Sequence, residues 1–266
     1  MNKNPLIIVI GAYGSGKSEY SINLAKLFNK IEDERPCGLY GTHLFVPSSV
    51  GIHTEEERIN AFRTEHGGKK VSLADLDVVN PYFRSRDVQE ILEREGIEVI
   101  APESSFKHAD LPMISPRVKG AIHDISKTLI LDVGGDPAGC KALGRFVDDI
   151  ITRTYEMMFV VNTKRPFTSN HQEIIDMITM LESTSGLKIT EIVSNTNLMD
   201  YTDLALIQEG IEIVKSVAAS IGISVKRYLV MNDTNNVYPD EILGVQKMNL
   251  EFFMKKPWNY SNFSID

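Results

Sequence analysis

The stretch Gly11-Ala12-Tyr13-Gly14-Ser15-Gly16-Lys17-Ser18 follows the apolar run Leu6-Ile7-Ile8-Val9-Ile10 and leads into residues at helical spacing. Strand, glycine-rich loop, helix is the setting in which G-x-x-x-x-G-K-[ST] holds a phosphate chain. Glycines let the backbone turn sharply and bring its N–H groups around an anion. The helix behind them turns its positive end toward the same anion. Lys17 is placed to reach the β- and γ-phosphates, and the Ser18 hydroxyl to ligate Mg²⁺. Gly11, Ala12, Tyr13, Gly14, Ser15, Gly16, Lys17 and Ser18, with Glu19 behind them, are therefore the expected nucleotide-binding segment.

Outward from the loop, Ile22, Leu24, Ala25, Leu27 and Phe28 predict a first helix from about Lys17 to Lys30. The connection that follows carries Pro36, Gly38, Gly41, Pro47, Gly51, Gly67 and Gly68 and is too long for a plain loop. It reads as a surface insertion at about 31–68, either a lid or an interaction arm. Cys37, His43, His53 and His66 lie in it at spacings that match no standard metal-ligand pattern.

Lys70–Ala74 reads as the second strand, ending in Asp75-Leu76-Asp77 and then Asn80-Pro81 and Arg84-Ser85-Arg86. Acids at the carboxyl end of a strand sit where an open parallel sheet binds its ligands. A helix over Ser85–Glu95, a third strand at Ile97–Ala101 and a helix starting near Ser115-Pro116 follow. Thr128-Leu129-Ile130-Leu131-Asp132 is an apolar run tipped by an acid, the mark of a central parallel strand. Such an acid commonly holds Mg²⁺ directly or through water, and Asp132 with Gly135 forms D-x-x-G, whose glycine N–H can meet a γ-phosphate.

Glu156–Asn162 is the next strand, and Ser169-Asn170-His171-Gln172 predicts a capping box for the helix carrying Ile174, Ile175, Ile178 and Leu181. A strand at Lys188–Ser194 ends in Asn195-Thr196-Asn197. A helix over Asp203–Ile221 and a last strand at Ser224–Met231 ending in Asn232-Asp233 complete the regular alternation. Pro239–Leu243 reads as a short closing helix, and a tail at about 250–266, with Trp258, Tyr260 and Phe263, either packs on the body or contacts a partner. The pattern predicts one doubly wound, mostly parallel α/β domain over 1–266, with about seven strands flanked by helices.

Composition sets bounds on this. A net charge of −8 over 266 residues argues against a broad nucleic-acid face. The 2 cysteines show no C-x-x-C spacing, which fits a reduced cytoplasmic compartment. The first strand begins too early for a signal peptide, and no apolar run approaches the roughly twenty residues of a membrane span.

With the loop, the Asp75-to-Pro81 segment and the Leu131-to-Asp136 strand tip in view, the chain resembles the CobQ/CobB/MinD/ParA group of phosphate-loop NTPases, in the SIMIBI class. The resemblance implies that Asp75–Asp77 is a first switch, with Asp77 orienting the attacking water and Asp75 supporting the metal shell. It implies a second switch at Asp132–Gly135, so that Lys17, Asp77 and Asp132 serve catalysis and Ser18, Asp75, Asp77 and Asp132 the metal. By the same resemblance Asn195 and Asn197 lie where a base is read, and Asn232 and Asp233 where a later loop closes over it. The chain departs from the group's dimerising ATPases at one place. Their extra lysine at the second loop position is Ala12 here, so no lysine crosses an interface from that site. Asn80, Arg84 and Arg86 could contact phosphate or substrate instead, as arginine fingers do.

No Asn-Lys-x-Asp guanine reader occurs: Asn162-Thr163-Lys164-Arg165 and Asn195-Thr196-Asn197-Leu198 both fail that pattern. ATP with Mg²⁺ is therefore the expected ligand pair. The expected activity is an ATPase switch that controls a protein partner or a cofactor-maturation step, with a homodimer possible. Alternatives are a small-molecule kinase or ligase of the dethiobiotin-synthetase-like type acting on a small acidic substrate, a GTP-binding member of the class, and a nucleotide-binding module without turnover.

Overall fold

The structure is a computed structural model and describes residues 4–33, 71–77, 88–101, 115–232 and 237–253. The expected insertion at 31–68 lies outside them except for its first residues, as do Asn80, Arg84, Arg86, Asp233 and the aromatic tail residues.

The described chain is a mixed α/β structure built on one sheet. Its strands are β1 (Leu6–Gly11), β2 (Val71–Asp75), β3 (Glu98–Ile100), β4 (Thr128–Gly134), β5 (Tyr155–Val161), β6 (Glu191–Ser194), β7 (Ser224–Met231), β8 (Glu241–Ile242) and β9 (Val245–Leu250). They lie in the order β3-β2-β4-β1-β5-β6-β7-β9-β8, and every neighbouring pair is parallel except β8 with β9. The helices are α1 (Lys17–Asp33), α2 (Gln89–Arg94), α3 (Arg117–His123), α4 (Pro137–Gly144), α5 (Val147–Ile150), α6 (His171–Ser185) and α7 (Leu204–Ile221).

Strand periodicity assigns the two cores. Leu6, Ile8 and Ile10 of β1 point to the face covered by α3 to α7, where Val118, Leu143, Ile174, Ile178, Leu181 and Val214 meet them. Ile7 and Val9 point to the other face, under Tyr20, Ile22 and Leu24 of α1 and Leu92 of α2. Burial on both faces is why these strands read as unbroken apolar runs. The alternation also carries the acids. Asp132 shares its face with Ile130, and Asp75 with Leu73 and Val71, so both lie on the α1 side. Asp75 and Asp132 are register partners on adjacent strands.

Two expectations need correction. Pro239–Leu243 contains no helix: Glu241–Ile242 is β8, paired antiparallel with β9, a strand the sequence reading lacks. Leu243 and Gly244, with φ of 53° and 80°, form the two-residue turn between them. Positive φ at both central positions matches the twist of a hairpin, and Gly244 takes it without a Cβ clash. Second, the cap of α6 is Asn170, whose side chain accepts from Glu173 N at 3.0 Å, while Ser169 N and Oγ donate to Glu173 Oε2 at 2.9 and 2.8 Å. The side-chain cap comes one residue later than expected, and Glu173, in place of Gln172, closes back onto Ser169, the residue before the cap. The segment after Gly135, for which the sequence pattern predicts no element, is helical. Asp136 accepts from Ala138 N and Gly139 N and Pro137 stands first in α4, a start that propensity favours.

Candidate functional site

β1 ends in Gly11 and α1 begins at Lys17, so the glycine loop spans the carboxyl edge of the sheet between β4 and β5. Gly14 and Gly16 have φ of 73° and 88°, a backbone that a Cβ would strain. The space is closed as well: a Cβ on Gly16 would come within 2.2 Å of Asn195 Nδ2. Asn195 donates from that nitrogen to Ser15 O at 2.6 Å, so the asparagine at the tip of β6 props the loop from beneath. Gly135 lies against the loop's other end, where a Cβ would meet Gly11 O at 2.0 Å. The loop is thus gripped between the ends of β4 and β6. Tyr13 alone of its side chains is strongly exposed, at 68%.

Behind the loop the charged groups converge. Lys17 Nζ lies 2.8 Å from Asp77 Oδ2, and both side chains are buried. Asp77 N donates to Asp75 Oδ1 at 3.0 Å, and Leu76 N to Asp132 O at 2.8 Å, which ties the end of β2 to the tip of β4. Burial opposes the Lys17 charge, but the carboxylates of Asp77, Asp132 and Asp75 outweigh it and hold its pKa above the ordinary lysine value. Asp132 shows the reverse balance. Burial, with Asp77 adding to it, pushes its pKa up to about 6 against the pull of Lys17, Ser18 and Ser21. Asp132 Oδ2 is buried with no hydrogen-bond partner, while Oδ1 accepts from Ser21 Oγ at 3.2 Å.

Of the residues expected here, the structure brings together Gly11 to Ser18, Asp75, Asp77, Asp132, Gly135 and Asn195. It disperses others. The Glu19 carboxylate accepts from Phe253 N at 3.2 and 3.1 Å, near the carboxyl end of the described chain. Asn197 Oδ1 accepts from Met199 N at 2.6 Å and so caps the turn after β6. Asn232 N continues the β7–β9 pairing by donating to Leu250 O at 2.8 Å. The D-x-x-G segment places Asp136 as the α4 cap.

Sequence reasoning passed over three contributors. Ser21 is one helical turn beyond Lys17 and bonds both Lys17 O, at 2.9 Å, and Asp132. Its i+4 spacing from Lys17 is the signal that would have found it. Asn162, at the tip of β5, donates to Asn197 O at 2.8 Å and accepts from Asn197 N at 3.3 Å, joining the loops after β5 and β6. Arg165 lies against Gly14, with its Nε 3.1 Å from where a Cβ would stand. Only the fold brings these last two to the site.

No family model matches the chain, and no curated protein matches it in sequence. Among solved structures it is similar to chloroplast FtsY from Physcomitrella patens, at 16% identity and a TM-score of 0.48 over 86% of this chain and 59% of that one. It is also similar to the signal recognition particle receptor FtsY from Elizabethkingia anophelis, at 14% identity and a TM-score of 0.45, again over 86% and 59%. The same receptor in complex with GDP gives 16% and 0.47 over 86% and 58%. The chain thus spans about three-fifths of the length of these proteins. At this identity and overlap the likeness bears on neither base nor partner. The strand–loop–helix start, the parallel sheet wound outward from β1 and the acid-tipped β4 give the chain a doubly wound, mostly parallel α/β fold with a phosphate-loop motif at its first turn.

Proposed function

We propose that the chain is a magnesium-dependent nucleotide switch of the SIMIBI class, in the manner of the CobQ/CobB/MinD/ParA group, that binds and slowly hydrolyses ATP. The observation that carries this is the buried pair Lys17–Asp77, set beside Asp132 at the foot of a loop whose backbone admits only glycine at Gly14 and Gly16. A buried ammonium ringed by three carboxylates has no packing purpose that leucine would not serve better. Its chemistry is that of a site prepared for a phosphate chain and a cation.

Ser18 and Asp132 would hold the magnesium, which supplies charge neutralisation on the β- and γ-phosphates when bound. The partnerless Asp132 Oδ2 fits that role, because a buried carboxylate oxygen without a donor is one that a cation satisfies. Lys17 faces the phosphates and Asp77 orients the attacking water, its carboxylate already turned toward the same nitrogen. Gly135, packed on Gly11, keeps the β4 tip against the loop, where a side chain would not fit. ATP is the preferred base because position 198, where a guanine reader carries its acid, is Leu198. The switch would act on a protein partner, from a single domain carrying a surface insertion at 31–68.

Titration of the purified chain with fluorescent ATP and GTP in Mg²⁺, followed by phosphate release, tests the proposal. Saturable ATP binding is expected, with GTP competing weakly. Lys17→Ala should weaken binding at least about 100-fold, since it removes a buried, charge-assisted contact. Asp77→Ala should bind ATP and lose turnover. Wild-type affinity in Lys17→Ala would overturn the assignment, and preferential GTP binding would overturn the choice of base.

A further inference from the structure

The turn leaving β5 carries a cation that the mechanism above does not use. Asn162–Thr168 is tightly held. Arg165 N donates to Asn162 O at 3.1 Å, Thr168 Oγ1 to the same oxygen at 2.9 Å, and Lys164 N to Asn162 Oδ1 at 3.0 Å. Pro166 follows Arg165 and fixes the turn further. Phe167 is 71% exposed and has a φ of 68°, a conformation that a bulky side chain adopts at a cost. The backbone is therefore fixed in one shape, and that shape sets Arg165 on the phosphate loop, its Nε 3.1 Å and its Cζ 3.4 Å from a Cβ position on Gly14.

The neighbouring lysine has its counter-charge: Lys164 Nζ lies 2.8 Å from Glu209 Oε2. Arg165 does not. Its Nε is buried without a hydrogen-bond partner, and among the described residues no carboxylate pairs with its guanidinium. A half-buried cation with no anion beside it is unfavourable as a purely structural feature. It becomes favourable once an anion arrives, and the loop it touches is built to receive one. Ala12 leaves the loop itself with Lys17 as its sole cation.

We propose that Arg165 is the second protein cation of the phosphate site, donating from its guanidinium to oxygens of the nucleotide's phosphate chain within the same molecule. The proposal rests on the nucleotide reading above and adds a residue to it. Arg165 is then a binding residue whose planar fork, more than its bare charge, sets affinity.

The test is equilibrium titration of the full chain with fluorescent ATP and ADP in Mg²⁺, with inorganic triphosphate as competitor. Wild type, Arg165→Gln, Arg165→Lys and Lys17→Ala are compared, and the melting temperature of each nucleotide-free variant is recorded. Arg165→Gln should melt like wild type and bind both nucleotides and triphosphate about 10- to 100-fold more weakly. Arg165→Lys, which keeps the charge and loses the fork, should fall between them, and it reports even if the glutamine variant folds poorly. Wild-type affinity in both Arg165 variants, with Lys17→Ala impaired, would overturn this proposal and leave the nucleotide reading standing. A wild-type chain that binds none of the three ligands would sink both.

Discussion

Asp132, at the tip of β4, shows what complete burial does to a carboxylate. It has no exposed surface, and burial first of all lifts its pKa from 3.8 to about 6. A carboxylate raised in this way weakens the folded state at neutral pH. The effect is absent below the unfolded value, grows as pH rises from 3.8 to about 6 and is full above that. Asp132→Asn should therefore stabilise the nucleotide-free protein at pH 7.5, by up to about 3 kcal/mol for a shift of this size. Thermal melting from pH 4 to 8 checks it: the gain should fade as pH falls below about 6 and vanish near 3.8. The same variant should lose magnesium-dependent turnover. A variant less stable than wild type at pH 7.5 would contradict this account of the strand tip. The position of Asp132 is legible in the sequence as the end of an apolar run. Its acidity is not, because that depends first on how deeply the fold buries it and then on Lys17, Ser18 and Ser21 arriving from α1.

Among the elements, β3 is the short edge strand next to β2, and one side chain ties it in. Glu98 accepts from Lys127 Nζ at 2.6 Å, Arg117 Nη2 at 2.7 Å and Ser72 Oγ at 2.9 Å, linking β3 to β2, to α3 and to the entry of β4. The Lys127 bond, with Ser72 and Arg117, holds its pKa below the ordinary 4.5. A lowered carboxylate pKa stabilises above the ordinary value and loses that contribution as pH falls through the folded one. Glu98→Gln should cost about 1 kcal/mol in urea unfolding at pH 7, since the group is partly exposed and screened. The difference from wild type should narrow as pH drops beneath 4.5. Equal stability at pH 7 would mean the hub is ornamental. The elements that could be read in advance are those whose evidence is local. The strands from β1 to β7 show continuous or alternating apolar character, and α1, α6 and α7 show helical spacing. β9 escaped because Gln246, Lys247 and Asn249 interrupt its apolar residues and because its partner, β7, pairs with it in parallel. Arg153 escaped for the same kind of reason. Its buried guanidinium donates to backbone oxygens of Asn4, Ile122 and Lys127 at 2.8, 2.8 and 3.1 Å, groups that share no local pattern with it.

At the scale of the whole molecule, the carboxyl-terminal end of the described chain is bound to the helix that follows the glycine loop. After β9 the backbone of Glu251 pairs with one side chain of α1: Asn23 Nδ2 donates to Glu251 O at 2.9 Å, and Glu251 N donates to Asn23 Oδ1 at 2.8 Å. Lys26 Nζ lies 2.9 Å from Glu251 Oε2 and 4.3 Å from the centre of the Phe253 ring, and Glu19 accepts from Phe253 N. A sequence reading could place aromatic residues near the end of the chain but could not say that an asparagine of α1 stands in for a strand edge. Asn23→Ala leaves a partly buried N–H and C=O of Glu251 without partners, which should cost about 1–3 kcal/mol. Its effect on ligand affinity should be different in kind. Lys17 pairs with Asp77, and Ser21 bonds Asp132, whereas the bonds of Glu251 and Phe253 go to Glu19, Asn23 and Lys26. A ligand that binds only the folded state stabilises by an amount set by its concentration and its dissociation constant, and the proposed ATP would do so here. Wild type and Asn23→Ala should therefore gain the same stabilisation in melting experiments, from different baselines. A smaller gain in the variant would show that the segment Glu251–Phe253, through Glu19, helps to shape the loop, and would make it part of the site.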